Sequence, residues 1–249
     1  MTFSDSAQCG VPVAVRVPLT ERVLRMRSAR LLVVLGLTLA PAIVSAQDKN
    51  PFIDSWFWGA KAGMVTLVTG PSTSPVRTTA PAIGVDWLIT RSWYALNVSL
   101  DQAYFDAVSS VTDAGGTGVE RLVDIRDMRR AAVAMNLFPK VFKENVRPYV
   151  GFGYALNFVV RAESQGNNFP SPEAKDTVEQ RIQSAKSRGS PMMIFGVQAD
   201  VKKWAPFVQA TVMPTQGAGR GFLINGNGFT YYLEGGIRYN FGSAIEKMQ

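Results

Sequence analysis

Residues 149–160 read YVGFGYALNFVV, and two kinds of side chain alternate along this stretch. Large apolar side chains occupy every second position: Val150, Phe152, Tyr154, Leu156, Phe158 and Val160. Tyr149, Gly151, Gly153, Ala155 and Asn157 form the other set of alternate positions. Successive side chains of a β-strand point to opposite faces, so this stretch predicts a strand with one apolar face and one polar or small face.

The same alternation recurs along the rest of the chain. It predicts eight strands, near residues 54–67, 79–90, 93–105, 119–137, 147–161, 190–201, 204–214 and 228–241. Short connections follow the second and sixth strands, and long connections rich in Gly, Ser, Asn and Pro follow the first, third, fifth and seventh. An even number of strands with short turns at one end and long loops at the other is typical of outer-membrane barrels. We therefore predict an all-β fold, an eight-stranded antiparallel up-and-down transmembrane β-barrel.

Aromatic residues concentrate at the end that carries the short turns. The predicted topology places seven of them near that rim: Trp56, Trp58, Trp87, Trp93, Trp204, Tyr239 and Phe241. Aromatic rings favour the bilayer interface, where an apolar ring and a polar edge are both satisfied, so we predict a periplasmic-side aromatic girdle. The alternative is aromatic core packing in a soluble barrel.

The fourth predicted strand contains a break in its pattern. Ala131, Val133 and Met135 alternate with small residues, but Asp127 and Arg129 fall on the same, otherwise apolar face. Either the strand rises out of the bilayer here, since a span needs only about 9–11 residues, or a bulge shifts its register.

The N-terminal region predicts targeting rather than structure. Residues 26–46 combine a positive start, an apolar core and a small-residue cleavage site, which is the layout of a secretory signal peptide. A membrane anchor is the alternative, but the apolar run of about 14 residues is shorter than the roughly 20 that span a bilayer. We interpret residues 1–25 as a spurious or dispensable extension, and residues 47–249 as a single outer-membrane β-barrel domain.

The composition excludes most enzyme mechanisms. The 249 residues include no His, and their one cysteine, Cys9, precedes the predicted signal peptide. A Ser-His-Asp triad, a Cys-His pair, a His-ligated metal and an internal disulfide are therefore excluded. We predict no catalytic residue, no cofactor and no metal site. The net charge of +7 comes without a Lys/Arg cluster, so we predict no nucleic-acid partner.

Charged residues recur on the predicted inner face of the barrel. Five of them are expected to form a polar network in the lumen: Lys61, Asp86, Arg130, Glu234 and Arg238. Glycines on the same face leave room for long side chains to cross the lumen, and an eight-stranded barrel holds little more than its own side chains. The network is either a structural set of ion pairs that blocks the lumen or a polar path for small solutes. If it blocks the lumen, Arg238→Ala is expected to leak more than the wild type.

Two further features lie toward the long loops. Residues 176–186 (DTVEQRIQSAK) are expected to form a short helix capped by Asp176 or Thr177, either as a solvated loop element or as a contact for a partner. Arg129 and Arg130 are expected near the outer leaflet, where they bind lipopolysaccharide phosphates or form internal ion pairs.

The closing segment, residues 231–241 (YYLEGGIRYNF), resembles the last strand of the OmpA/OmpX-like family of small outer-membrane barrels. Residues 147–155 (RPYVGFGYA) and 135–139 (MNLFP) are similar to the repeated hairpins of that family. The resemblance implies location in the cell outer membrane and contact with outer-membrane lipids and lipopolysaccharide. It also implies insertion by the barrel-assembly machinery, which in this family reads the terminal aromatic residue.

The first hypothesis for function is a non-catalytic outer-membrane β-barrel with a structural or interaction role through long extracellular loops, whose partner the sequence does not identify. The alternative is a passive channel for small or hydrophobic solutes, as in OmpW-like barrels. The absence of His argues against an outer-membrane enzyme. A soluble lipocalin-like binder would require the apolar face to point inward.

Overall fold

A computed structural model describes residues 52–70, 74–112, 120–139, 145–166, 169, 171–214, 222–224 and 228–243. The predicted extension and signal peptide lie outside the described residues. Within these ranges the elements are β1 (Ser55–Thr69), β2 (Val76–Thr90), β3 (Tyr94–Thr112), β4 (Glu120–Leu137), β5 (Val146–Ser164), α1 (Pro172–Ala185), β6 (Ser187–Ala199), β7 (Trp204–Pro214) and β8 (Phe229–Ser243).

Each strand pairs antiparallel with the next, and β8 pairs with β1, so the sheet closes on itself. The predicted eight-stranded up-and-down barrel is confirmed. The connections 91–93, 138–145 and 200–203 mark one end of the barrel, here called the turn end, and the connections 70–75, 113–119, 165–186 and 215–228 mark the opposite, loop end. The first of these is shorter than the sequence predicted, because β1 and β2 both extend further toward the loop end. β3 and β5 extend several residues further toward the loop end than predicted, to Thr112 and Ser164.

The two faces of the sheet carry opposite polarity. Charged, polar and small side chains point into the middle of the lumen, and apolar side chains fill its two ends; all of these are buried. Large apolar side chains point outward and are about half exposed, among them Ile83, Leu100, Val133, Phe152 and Leu233. The soluble-barrel alternative required the reverse arrangement, so it does not fit this structure.

A bulge accounts for the break in the pattern of the fourth strand. Asp127 has a positive φ of 55°, and the β3–β4 pairing shifts between Ala103 and Asp106. Arg130 points inward on the turn side of this point, whereas Ile125 points inward on the loop side. Of the two alternatives for this strand, the structure contains the bulge.

Candidate functional site

The middle of the lumen holds a layer of six charged side chains, called here the central charged layer. Its three cations and three carboxylates come from five strands: Lys61 on β1, Asp86 on β2, Asp101 on β3, Arg130 on β4, and Glu234 and Arg238 on β8. Each side chain is at most 2% exposed. Buried charges are costly unless they are paired, and equal numbers of each sign make the layer neutral.

The larger part of the layer joins four of these charges. Lys61 Nζ lies 2.7 Å from Asp101 Oδ1 and 3.2 Å from Glu234 Oε1. Arg130 Nη2 lies 2.7 Å from Asp101 Oδ2 and 3.1 Å from Glu234 Oε1. Each cation therefore contacts both carboxylates, and this closed arrangement satisfies the four charges together.

Neutral side chains extend this group across the lumen. Gln209 Nε2 donates to Glu234 Oε2 at 2.9 Å, and the Tyr149 hydroxyl donates to Gln209 Oε1 at 2.9 Å. The Arg130 guanidinium also lies 3.7 Å from the centre of the Tyr232 ring. The two hydrogen bonds give the buried polar atoms of Glu234, Gln209 and Tyr149 protein partners in place of water.

Arg238 and Asp86 form the second part of the layer. Arg238 Nη2 lies 2.5 Å from Asp86 Oδ2, and its Nη1 donates to Gln198 Oε1 at 2.7 Å. The guanidinium is stacked 3.7 Å from the centre of the Phe207 ring. Asp86 also accepts a hydrogen bond of 3.4 Å from Asn97 Nδ2.

Glycines on the inner face leave the space that these long side chains occupy. A Cβ atom added at Gly84 would lie 2.1 Å from Asp101 Oδ1, and one at Gly59 would lie 2.3 Å from Asp86 Oδ1. Both distances are too short for any side chain, so the carboxylates approach the backbone of the neighbouring strand only because these positions are glycine.

The structure places all five predicted network residues in the central charged layer, as two groups that Tyr149 joins, since it donates to Gln209 of the first group and lies beside the Arg238 guanidinium of the second. Sequence reasoning left out Asp101, which lies between Lys61 and Arg130. Its inward position followed from the alternation on β3, but its partners depend on the pairing of Asp101 with Arg130 on β4. Arg130 is buried here, so it is not available to lipid phosphates as one alternative had proposed.

An apolar layer closes the lumen on the loop side of the charges. The barrel contributes inward residues such as Leu67, Ile125 and Val159, and α1 contributes Val178 and Ile182, all of them buried. The helix predicted from residues 176–186 therefore packs into the barrel mouth instead of standing in solvent. It also begins earlier than predicted, because Ser171 caps it and accepts a hydrogen bond from the Ala174 backbone N–H.

Within the described residues, no helix is long and apolar enough to cross a membrane.

A second segment, residues 222–224, completes this layer. Phe222, Leu223 and Ile224 are buried. The Leu223 N–H donates to the Ala185 carbonyl at the end of α1, and the Leu223 carbonyl accepts from the Ser109 hydroxyl on β3. The segment belongs to the β7–β8 connection, and β3 lies opposite β7 in a ring of eight strands. Residues 222–224 therefore lie against β3, on the side of the mouth opposite β7.

Aromatic rings close the turn end. Phe52 precedes β1 and contacts Phe57 and Phe138, at 6.0 and 4.8 Å between ring centres. Phe138 in turn contacts Tyr149 at 5.3 Å. The Arg147 guanidinium lies 4.4 Å from the centre of the Phe52 ring. The lumen is thus filled at three levels: the turn-end rings, the central charged layer and the loop-end apolar layer.

The predicted girdle residues lie on the outer surface at the turn end. Strand pairing places Trp87, Trp58, Tyr239 and Trp204 in one row across β2, β1, β8 and β7. Trp58 stacks on Trp87 at 5.5 Å, and Trp204 meets Tyr239 edge to face at 4.8 Å. The other three girdle residues, Trp56, Trp93 and Phe241, are exposed beside this row.

Among the described residues, no group of three or more His, Cys, Asp or Glu side chains has an arrangement that could hold a metal ion. The carboxylates of the central charged layer are instead each paired with a cation.

Comparison with known proteins shows similarity at the level of solved structures. No protein-family model matches the chain, and no curated protein matches it. Neisserial surface protein A is 13% identical, with a TM-score of 0.46 over 75% of this chain and 97% of that chain. The N-terminal β-barrel domain of Pseudomonas aeruginosa OprF is 10% identical, with a TM-score of 0.42 over 76% and 98%. Ail, the attachment invasion locus protein of Yersinia pestis, solved with the heparin analogue sucrose octasulfate, is 9% identical, with a TM-score of 0.37 over 75% and 99%.

Proposed function

We propose that this protein is a non-catalytic β-barrel of the bacterial outer membrane with a closed lumen and a structural or interaction role at its loop end. The observation that carries the proposal is the polarity of the sheet, which is the reverse of that in a soluble barrel: charged side chains are buried inside, and apolar side chains are exposed outside. In water the exposed apolar face would be unfavourable, whereas in lipid it is the surface that outer-membrane barrels present.

The spacing of the outward aromatic residues supports a membrane of the expected thickness. Phe229 and Tyr239 are ten residues apart on β8, and both lie on the outer face. At about 3.3 Å per residue and a strand tilt of about 40°, they are separated by about 25 Å along the barrel axis. That separation equals the height of the apolar band of an outer-membrane barrel, about 25 Å.

The three filled levels of the lumen favour the structural role over the passive channel. To pass through the lumen, a solute would have to displace the turn-end rings, separate the paired charges and displace α1 from the barrel mouth. The exposed face of α1 at the loop end favours that end as the surface for partners. Insertion by the barrel-assembly machinery belongs to the same proposal.

Solute flux through liposomes that contain the folded protein tests the closed lumen. We expect the wild type to pass no more of a small neutral sugar than protein-free liposomes, while a gel shift on heating shows that the barrel is folded in the bilayer. Arg238→Ala is expected to stay closed as well, because the apolar layer at the loop end remains in place. This replaces the expectation from sequence that the variant leaks.

Combining Arg238→Ala with Val178→Ser, Ile182→Ser and Phe138→Ala is expected to increase flux, since it weakens all three levels. Flux through the folded wild type would contradict the closed lumen and favour the passive channel. Failure of the chain to insert into any bilayer would contradict the membrane assignment itself.

A further inference from the structure

Residues 222–224 are fixed in the barrel mouth by their side chains and by their backbone. All three side chains are at most 3% exposed, whereas connections between strands usually lie on the surface. Both backbone polar groups of Leu223 are also bonded. Its N–H donates to the Ala185 carbonyl at 3.1 Å, and its carbonyl accepts from the Ser109 hydroxyl. This segment is called here the latch.

The C-terminal end of α1 depends on contacts from outside the helix. The last carbonyls of a helix have no partner within it, and many helices satisfy them with a left-handed glycine turn. α1 has no such turn, since Lys186 at its C-cap is right-handed, with φ −72°. The Ala185 carbonyl instead accepts from the latch, and the Lys186 carbonyl accepts from the Val159 N–H of β5 at 2.8 Å. The latch therefore completes the end of α1.

The latch and α1 also fill the mouth together. Val178, Ile182 and Ala185 of α1 belong to the same buried apolar cluster as the latch, and Leu67 and Ile125 of the barrel wall belong to it too. A helix of 14 residues is marginal alone in water. If either segment left the mouth, the other would lose apolar contacts and one partner of the hydrogen bond that joins them.

We infer that α1 is a lid on the mouth of the barrel and that the latch holds it closed, so that the two segments open and close as one unit. The closed state is favoured because opening exposes the apolar side chains beneath the lid to water. α1 belongs to the β5–β6 connection and the latch to the β7–β8 connection, so displacement of one connection reaches the other through Leu223. The contacts that carry this inference lie inside the mouth, so it stands apart from the membrane assignment.

Hydrogen exchange of the full chain folded in detergent, followed by mass spectrometry, tests the coupling. Leu223→Ser removes the apolar side chain at the centre of the latch. We expect the amides of α1 to exchange at least about tenfold faster in this variant, because the lid opens more often, while the amides of the eight strands keep their wild-type rates. Leu122→Ser is the matched control: it removes a leucine of the loop end that is 39% exposed, and it should leave the exchange of α1 unchanged.

The reverse experiment distinguishes coupling from simple weakening of the helix. Coupling between two segments is reciprocal, so release of the lid must loosen the latch. In Val178→Ser/Ile182→Ser, the amides of the latch are expected to exchange at least about tenfold faster than in the wild type. Unchanged exchange of α1 in Leu223→Ser, or unchanged exchange of the latch in the helix variant, would overturn the inference.

A gel shift on heating shows whether each variant has formed the barrel. If Leu223→Ser does not form it, Ser109→Ala takes its place, because it removes only the hydroxyl that holds the Leu223 carbonyl. One hydrogen bond has a modest net strength, so we expect the exchange of α1 to become about threefold faster in Ser109→Ala. The wild-type rate in that variant would equally contradict the coupled lid and latch.

Discussion

At the scale of single residues, the central charged layer is stable only as a balanced set. Lys61 and Arg130 each contact both Asp101 and Glu234, so no member can be lost without leaving a buried charge short of a partner. Removing one partner of a buried pair typically costs about 3–5 kcal/mol, whereas removing both costs much less.

Glu234→Gln is therefore expected to lower the free energy of unfolding by about 3 kcal/mol or more, because two cations then share one carboxylate. Lys61→Met/Glu234→Gln restores neutrality and is expected to recover most of that loss. Urea unfolding from lipid vesicles measures both. A double variant as unstable as the single one would contradict the account of a balanced layer.

The exposed pair of Lys175 and Glu179 on α1 provides the control for this measurement. Their charged groups are 3.8 Å apart, and both side chains are more than half exposed. Ion pairs of this kind are worth little, so Glu179→Gln is expected to change the stability by no more than about 0.5 kcal/mol.

Residue-scale features divide into those that sequence can predict and those that depend on register. Alternation alone indicated that Lys61, Asp86, Arg130, Glu234 and Arg238 point inward. The position of Asp101 between two cations could not be predicted, because it depends on which residues of β3 and β4 face each other. The row of Trp87, Trp58 and Tyr239 depends on strand register in the same way.

At the scale of elements, α1 depends on the barrel for its structure. A helix of 14 residues is marginal alone in water, so its stability comes mainly from packing Val178, Ile182 and Ala185 into the mouth. Sequence reasoning placed its start at residue 176 and missed the Ser171–Pro172 signal, although Ser at the cap and Pro at the first helical position are a common helix start.

Val178→Ser/Ile182→Ser is expected to release α1 while the barrel stays folded, because the helix loses its two largest buried apolar side chains. Trypsin cleavage after Lys175 and Arg181 should then become about tenfold faster or more, since that cleavage requires local unfolding. The matched control, Gln180→Ala/Gln183→Ala, alters exposed positions of the same helix and should keep the wild-type rate. An unchanged rate in the first variant would show that α1 does not depend on this packing.

At the scale of the whole molecule, short turns and even strand number predicted the closed antiparallel barrel. The filling of its two ends was not predicted. Phe52 at the turn end and residues 222–224 at the loop end come from segments without a strand pattern, and their burial arises from contacts far apart in sequence. The lumen is therefore closed by more than the charges that sequence reasoning identified.

The central claim is that the outer face of this barrel lies in a membrane, and fluorescence quenching by brominated lipids tests it most directly. All five tryptophans lie at the turn end, in or beside the girdle row. In vesicles with bromine at different depths, their fluorescence should be quenched most by bromine near the headgroups and least by bromine at the chain ends. Absence of quenching by any brominated lipid, or strongest quenching from the chain ends, would contradict the account.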